Sequence, residues 1–555
     1  MCNAAFVPVH ARFAFIFPMA SGHLNPSLPI ARRLVNAGHK VDYLCLEQMR
    51  EAIEDTGAVF HSAVDHEAEL YQGRKPDMFG AGEALKRQFK LEEGRPLGFV
   101  MVRNVMNELQ LPGLLRFLRK VKPTVVVYCP VLNREAALAA RVLGIPHVAL
   151  LTIAGPGAST AFFEEVLAQE RLSFDGLDRE FRAFEPNIAA VKRLNAKYGL
   201  GLEEGLPKPM GRFDSLSKAS QVLVTTSTEL QDSSTPELMD AYNADGVAFV
   251  AVGPLFEPAG TSRAGGHRAH SPVGHAVVVR PCMVRPAEVL QKVRTARAAG
   301  RKVALVSMGT VITGDTPVWG WEGRANDASG HPYGLTGREL CRAAWAGAFD
   351  AFHADDADEG TLVVVSLGRQ QDPLGEVVVP PNAVCAEFIP QVEILEAGVS
   401  VFLTHGGQNS FNEALAFGVP LVVCPGGGDQ VTNSRKAETF GVGLKVDRPY
   451  PHCGEEAAAV ANYRADVRRA LLRVVSEPAF AAGAARLAQE LSSAGGPHRA
   501  TELVLAVARV VTEGTDTSSD VTCDACSAGC IRGVLTIRAL RTLTHGWRCR
   551  LRRQR

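Results

Sequence analysis

The sequence predicts an α/β protein in which two doubly wound halves, each built on a parallel sheet, face each other across a cleft. Short apolar runs alternate with amphipathic helical stretches almost from the first residue, which is typical of parallel sheets covered by helices on both faces. The alternation stops at one polar stretch and then restarts. With 555 residues, the chain is also too long for a single core.

Apolar runs in the first half are candidate strands, and helical patterns separate them. The first run leads into a Gly-containing loop and a helix predicted over Pro26–Asn36. The candidate strands are Arg12–Phe17, Val41–Leu46, Val125–Tyr128, Val148–Thr152 and Val222–Thr225.

A stretch without periodicity, Glu257–His275, is rich in Gly, Ser, Ala, Arg and His and indicates a linker. We therefore predict a first domain over 1–253, a linker over 254–286, a second domain over 287–512, and a Cys/Arg-rich tail over 513–555 that lacks order. The candidate strands of the second domain are Val303–Val306, Leu362–Val365, Val401–Leu403 and Leu421–Cys424.

Composition excludes several classes of partner. Lys plus Arg and Asp plus Glu both number 59, so no net charge draws the chain to nucleic acid or to anionic lipid.

Most of the twelve cysteines are scattered singly, which favours a reducing compartment and predicts a cytoplasmic protein. The N-terminus lacks the pattern of a secretory signal, and no apolar run is long enough to predict a membrane span.

The most informative stretch runs from Phe388 to Gly443. A strand ends at His405-Gly406-Gly407, and a helix then begins near Asn409 and ends at Gly418. Paired glycines allow a ligand to approach the backbone, and the free N–H groups at a helix start favour a phosphate. The same residues also fit a structural role, because Ser410 and Glu413 have the spacing of a capping box.

This block resembles the C-terminal signature of the UDP-glycosyltransferase superfamily, the family 1 glycosyltransferases. The matching positions are Phe-x-Pro-Gln at 388–391, then Ile-Leu, Thr-His-Gly-Gly-x-Asn-Ser-x-x-Glu at 404–413, Gly-Val-Pro, and Pro-x-x-x-Asp-Gln-x-x-Asn at 425–433. The resemblance implies the GT-B fold, with two facing Rossmann-like domains. It also implies that the helical segment Arg499–Val510 crosses back to the first domain.

The resemblance implies a role for each matching residue. Phe388, where the family usually has Trp, would stack on uracil beside Gln391. The diphosphate would be held by His405, Asn409 and Ser410 with the adjacent Gly406 and Gly407. Glu413 would accept from the ribose hydroxyls, while Asp429 and Gln430 would bind the sugar. Gly309 and Thr310 would form a phosphate-facing loop.

Two departures concern the donor sugar more than the nucleotide. Gln408 stands where many members have Trp, and a His often found after Ile394-Leu395 is absent.

A candidate general base lies in the first half, in the loop Ser21-Gly22-His23. Glycosidic bond formation requires the acceptor hydroxyl to lose a proton, and a neutral imidazole suits that role near pH 7. Asn25 is predicted to cap the next helix, whose positive end would keep His23 neutral. A loop histidine that satisfies a backbone group is the structural alternative, but Gly-His-x-x-Pro resembles the family's catalytic loop.

The usual partner of that histidine is an aspartate after a later strand, and Cys129 occupies the matching position. A thiol stabilises an imidazolium poorly, so losing the carboxylate can lower the rate by orders of magnitude. Another acid, an acidic acceptor such as a phenol or carboxylate, or reduced activity would each accommodate the change.

Two other patterns resemble metal sites. Asp356-Ala357-Asp358 lies in an acidic stretch that is better explained as solvated surface. The tail carries Cys523, Cys526 and Cys530 but lacks the second short-spaced pair that zinc sites usually show. We predict no metal and no cofactor.

The sequence therefore predicts an inverting, metal-independent glycosyltransferase. It would move a hexose, by expectation glucose, from a UDP-sugar donor to a small lipophilic acceptor. One alternative is a nucleotide-sugar-binding protein with little transferase activity, motivated by Cys129. UDP-sugar epimerisation on the same fold is another, and the acceptor-type first half argues against it.

Overall fold

Two parallel sheets form the core of the computed structural model, and six strands of the first are arranged in the same order as the six strands of the second. The structure describes residues 10–77, 79–91, 97–257, 263–264, 284–315, 319–326 and 332–516. The predicted tail lies almost wholly outside these residues.

The first half carries seven described strands: β1 (Arg12–Ile16), β2 (Lys40–Cys45), β3 (Val59–Ser62), β4 (Val125–Tyr128), β5 (His147–Leu151), β6 (Gln221–Val224) and β7 (Phe249–Ala251). Its helices are α1 (Ser21–Leu24), α2 (Leu28–Asn36), α3 (Arg50–Glu54), α4 (Ala63–His66), α5 (Ala68–Tyr71), α6 (Gly80–Gln88), α7 (Gly98–Val121), α8 (Arg134–Leu143), α9 (Ala158–Gln169), α10 (Phe174–Ala183), α11 (Glu185–Tyr198) and α12 (Pro236–Ala244). Short 3-10 turns cover Asn25–Ser27, Glu47–Met49 and Asp214–Leu216.

The second half contains β8 (Val303–Ser307), β9 (Ala325–Asn326), β10 (Pro332–Tyr333), β11 (Leu362–Ser366), β12 (Ala383–Ala386), β13 (Val401–Thr404), β14 (Leu421–Val423) and β15 (Gly443–Lys445). Its helices are α13 (Pro286–Ala298), α14 (Gly309–Ile312), α15 (Gly337–Phe352), α16 (Gln391–Gly398), α17 (Gln408–Ala416), α18 (Asp429–Thr439), α19 (Glu456–Ser476), α20 (Pro478–Ser493) and α21 (Gly496–Asp516).

Both sheets are doubly wound, which confirms the predicted fold class. The first has the order β3-β2-β1-β4-β5-β6-β7 and the second β12-β11-β8-β13-β14-β15. Every pairing in these two sheets is parallel. The chain order reverses between β1 and β4, and again between β8 and β13. Such switch points open a crevice at the carboxyl ends of the strands, where ligands bind in this class of sheet.

The strands read as continuous apolar runs because both faces of each sheet are buried. In β1, Phe13 and Phe15 pack into one core cluster, and Ala14 and Ile16 pack into the cluster on the opposite face. Alternating side chains on a strand point to opposite faces, so a sheet covered by helices on both sides needs apolar residues at every position.

Helix α21 returns to the first half, as the resemblance implied. Its residues Ala500, Val504 and Ala508 are buried in the cluster that contains Phe13 and Phe15 of β1. The spacing of four residues places them on one face of the helix.

The two halves also meet through the loop that follows β6. Asn412 of α17 donates to the carbonyl of Thr225 at 2.8 Å, and its side-chain oxygen accepts from the hydroxyl of Thr226 at 3.0 Å. All three residues are buried. Beside them Lys436 of α18 forms an ion pair of 2.7 Å with Asp232.

Gly443 tests the packing of the second sheet. A methyl group at this position of β15 would lie 2.0 Å from the carbonyl oxygen of Leu421 in β14. We expect Gly443→Ala to destabilise the fold by about 3 kcal/mol, because the obstacle is backbone of a paired strand. Gly441→Ala is the matched control. Its methyl group meets open space, and only the positive φ of 63° opposes it, at a cost of about 1 kcal/mol. Denaturation midpoints measure both changes, and equal losses would contradict the packing argument.

Candidate active site

The predicted base, His23, lies on α1 directly after β1, at the switch point of the first sheet. Its Nδ1 atom lies 2.7 Å from the hydroxyl of Thr152 and 3.3 Å from the sulfur of Cys129. Cys129 follows β4 and Thr152 follows β5, so three neighbouring strands deliver these groups to one point. The structure therefore places Cys129 beside the imidazole, as its position in the sequence predicted.

Burial keeps His23 neutral. Desolvation lowers the pKa of His23 to about 4. The expected direction is thus present, but burial causes it, whereas the sequence argument invoked a helix dipole.

The predicted role of Asn25 is wrong. Helix α1 begins at Ser21 after Ala20, and Asn25 makes no cap hydrogen bond there or at the start of α2. Its side chain instead bonds both backbone groups of Ala264, donating at 3.1 Å and accepting at 2.8 Å. Because Ala264 lies far along the chain, helix-start patterns could not reveal this partner.

The thiol of Cys129 is neutral at pH 7. Burial raises its pKa to about 12, while the nearby backbone N–H groups of Leu132 and Val131 act in the opposite direction. The same N–H groups would stabilise a carboxylate at this position.

The predicted phosphate residues gather at the switch point of the second sheet. His405 follows β13, and its ring lies against two glycines: a methyl group on Gly309 or Gly407 would lie 2.4 or 2.5 Å from it. Gly406 and Gly309 both have positive φ. Burial lowers the pKa of His405 to about 4, so this imidazole is also neutral.

Helix α17 carries the next group of predicted residues on one face. Gln391 donates to the carboxylate of Glu413 at 2.7 Å and to the hydroxyl of Ser410 at 3.2 Å. The helix begins after Gly407 without a side-chain cap, so Ser410 and Glu413 do not form the capping box considered above. Their side chains instead face a shared polar site.

The two predicted sugar-binding residues brace the donor loops. The carboxylate of Asp429 accepts from the backbone N–H of Gln408 at 3.0 Å, and the side-chain oxygen of Gln430 accepts from Gly426 at 2.7 Å. Burial, joined by the charge of Asp232, raises the pKa of Asp429 to about 6. Each residue therefore shapes the site from its edge.

Phe388 lies after β12, at the same edge of the sheet. The guanidinium of Arg369, which follows β11, lies 4.9 Å from the centre of its ring. The stacking of a base on Phe388 stays a prediction, and in this structure the guanidinium of Arg369 lies over the ring.

The two switch points touch. Asn409 donates to the carbonyl of Gly22 at 3.0 Å, and the hydroxyls of Ser21 and Thr310 lie 3.2 Å apart. The loop of His23 is thus in direct contact with the start of α17. Thr152 was missed by the sequence argument, although its position at the end of a predicted strand was the available signal.

Comparisons with known proteins identify the family. Residues 354–507 match the family described as "Erythromycin biosynthesis protein CIII-like, C-terminal domain". The chain is 22% identical to the NDP-glycosyltransferase YjiC of Bacillus licheniformis over 498 residues, covering 89% of this chain and 96% of that protein. It is 25% identical to the oleandomycin glycosyltransferase of Streptomyces antibioticus over 503 residues, covering 89% and 90%.

A solved structure shares the fold. The glycotransferase of kitacinnamycin aligns with a TM-score of 0.57 at 24% identity, covering 90% of this chain and 99% of that one. The chain is a family 1 glycosyltransferase with the GT-B fold.

Two sequence patterns of this glycosyltransferase resemble metal sites. In the described ranges, His, Cys, Asp and Glu side chains form no group of three or more that could hold a metal ion. Asp356 and Asp358 lie in an exposed turn after α15. The cysteines of the tail lie outside the described ranges. Within those ranges, no helix has the length and apolar character that crossing a bilayer requires.

The contact between His23 and Cys129 predicts that replacing Cys129 changes the pKa of His23. We expect His23 of the glycosyltransferase to remain neutral at pH 5, and Cys129→Asp to raise its pKa by about 1 to 3, because a carboxylate favours the imidazolium. NMR of 15N-histidine-labelled protein, assigned with His23→Gln, measures the charge.

Cys129→Ser is the matched control, since it changes the side chain without adding charge. Its His23 should titrate like that of the original protein. Identical titrations in Cys129→Asp and Cys129→Ser would contradict the assigned contact.

Proposed function

We propose that this glycosyltransferase moves a hexose from a UDP-sugar to a hydroxyl group of a small lipophilic acceptor, with inversion and without a metal ion. Glucose is the first donor sugar to test, since a terminal Gln such as Gln430 often accompanies it in the family. One observation carries the proposal: His23 is neutral, held at Nδ1, and positioned on a loop that contacts the start of α17.

His23 has the features of a general base. With its proton on Nδ1 donated to the hydroxyl of Thr152, its Nε2 lone pair is free for an acceptor. As the acceptor oxygen bonds to the anomeric carbon, its proton passes to Nε2. The bond from that carbon to the phosphate oxygen breaks, and UDP leaves with the electron pair. A single in-line displacement inverts the anomeric centre.

The donor would lie along α17. Glu413 would accept from the ribose hydroxyls, and Phe388 would stack on the uracil. His405, Asn409 and the backbone N–H groups at the start of α17 would receive the diphosphate, where a helix N-terminus favours an anion. The crowding of His405 against Gly309 and Gly407 supports this, because those glycines keep the backbone open to the ligand.

Asp429 and Gln430 would contact the sugar with the atoms their backbone hydrogen bonds leave available. The word NDP in the name of the Bacillus relative leaves the nucleotide base open, so other nucleotides belong in the test.

The first experiment follows nucleotide release from UDP-glucose with and without a pool of lipophilic alcohols and phenols. We expect acceptor-dependent release that falls at least 100-fold in His23→Ala, the scale of a general base. dTDP-glucose is tested in parallel. Tight UDP binding without release from any pool would favour a nucleotide-sugar-binding protein, the alternative that Cys129 motivates.

The neutral partners of His23 also favour an acidic acceptor. A base with a pKa of about 4 takes a proton from a phenol, pKa about 10, more readily than from an alcohol, whose pKa lies near the 15.7 of water. At 1.36 kcal/mol for each pKa unit, this difference amounts to about 8 kcal/mol for complete transfer.

We therefore expect phenols to turn over at least tenfold faster than aliphatic alcohols of similar size. A series of matched phenol and alcohol pairs measures kcat/KM. Cys129→Asp should raise the rates of both classes, because the carboxylate makes His23 a stronger base. Equal rates for both classes in the original protein would contradict the argument.

A further inference from the structure

Two residues of the interdomain segment, Arg263 and Ala264, lie in the cleft between the two switch points. Ala264 is buried, and Asn25 holds both of its backbone groups. Since Asn25 follows His23 by two residues, the loop of the candidate base fixes this part of the segment.

From this position Arg263 reaches the donor site. Its guanidinium bonds one carboxylate oxygen of Glu413 at 2.5 Å, while Gln391 bonds the other. Glu413 is 3% exposed. A buried carboxylate requires a compensating charge, and Arg263 supplies it.

Arg263 is close to the predicted diphosphate site. Asn409 and Ser410 precede Glu413 by four and three residues, so all three lie on one face of α17 within about 6 Å along its axis. A guanidinium has a rigid fork of donors that suits a phosphate as well as a carboxylate. Among the described contacts of these three residues, Arg263 is the cationic side chain.

The charges around the site argue that Arg263 has a second role once a ligand is bound. His405 is neutral, so helix α17 and that imidazole offer only partial charges to a diphosphate. If ribose hydroxyls donate to Glu413, they share its oxygens with Arg263, since a carboxylate has about four acceptor sites. The guanidinium has five N–H donors, so it can pair with Glu413 and also donate to the diphosphate, the nearest expected anion.

We propose that Arg263 is a diphosphate ligand delivered from the interdomain segment and held in place by Asn25. In the unliganded protein it pairs with Glu413. When a nucleoside diphosphate binds, the ribose also donates to Glu413, and the guanidinium, still beside that carboxylate, donates to the phosphates. The inference rests on the proposed nucleotide-sugar donor, and it assigns a binding residue that the signature of α17 does not contain.

Calorimetric titration separates this role from its competitors. The ligands are UDP, dTDP, GDP and ADP with their nucleosides, and the proteins are the original chain, Arg263→Ala and Arg263→Lys. We expect Arg263→Ala to weaken binding of the preferred nucleoside diphosphate at least tenfold, with the nucleoside bound equally or more tightly. Arg263→Lys should keep most of the affinity, since it retains the charge.

Asn25→Ala tests the anchor. It should weaken nucleoside diphosphate binding less than Arg263→Ala does. The double variant should bind as weakly as Arg263→Ala alone, because Asn25 acts only by holding Arg263 in place.

Arg486→Ala is the matched control for a structural role. Arg486 also bridges the two halves, through an ion pair of 2.9 Å with Glu229, but this pair is half-exposed and involves none of Asn409, Ser410 and Glu413. Its loss should leave nucleotide binding unchanged.

Three results would overturn the assignment. Equal losses for nucleoside and diphosphate would mean that Arg263 only shapes the ribose site. Tighter diphosphate binding in Arg263→Ala would mean that the guanidinium merely competes with the donor. Equal losses of nucleoside diphosphate affinity in Arg486→Ala and Arg263→Ala would mean that Arg263 only holds the two halves together. If a diphosphate other than UDP binds, the proposed donor is wrong while the Arg263 test stands; if none binds, both proposals fail.

Discussion

The site depends on how helix α17 is fixed against the first sheet. Asn412, in the middle of that helix, exchanges two hydrogen bonds with Thr225 and Thr226 in a fully buried contact. Leaving such a buried group unpaired costs about 1–3 kcal/mol, so the contact defines one relative position of helix and sheet. Because Asn409, Ser410 and Glu413 share α17 with Asn412, that contact also determines how these predicted donor residues are placed relative to His23.

The site holds its two histidines neutral and places formal charge elsewhere. Desolvation lowers the pKa of both partly buried histidines, His23 and His405, to about 4, while Glu413 and Arg263 form the nearby ion pair. The partners of His23 are a hydroxyl and a thiol, and neither can neutralise an imidazolium. Around His23, the departure from the family pattern is Cys129, and we expect this one residue to change which acceptors the proposed base can deprotonate.

Much of the fold was predictable because parallel strands buried on both faces leave an unmistakable apolar run. β4 was predicted to the residue, and β1, β5, β8, β11, β13 and β14 to within one residue at either end. Short strands such as β3 and β15 were missed. β3 begins with an exposed Val59, and β15 is three residues that include Gly443, so neither shows a continuous apolar pattern.

The candidate site was predictable where it is local in sequence and not where it depends on distant contacts. The block from His405 to Gln430 carries its own spacing, and the structure brings these residues to one edge of the second sheet. Thr152, Arg263 and the true partner of Asn25 belong to the site through tertiary contacts across 129, 150 and 239 positions. No local periodicity encodes such contacts. A strand-end rule would have found Thr152, but an arginine in a polar linker carries no comparable signal.

The interface between the halves is uneven in strength, and this determines where the cleft opens. At its base, the Asn412 contact and the packing of α21 on the first core are buried. At the site, the contacts between Asn409 and Gly22 and between Ser21 and Thr310 are single exposed hydrogen bonds, each contributing about 1 kcal/mol or less. We therefore expect a motion that admits substrate to break the contacts beside His23 first. Such an opening would separate the proposed base from α17, and closure would restore both contacts and exclude water from the site.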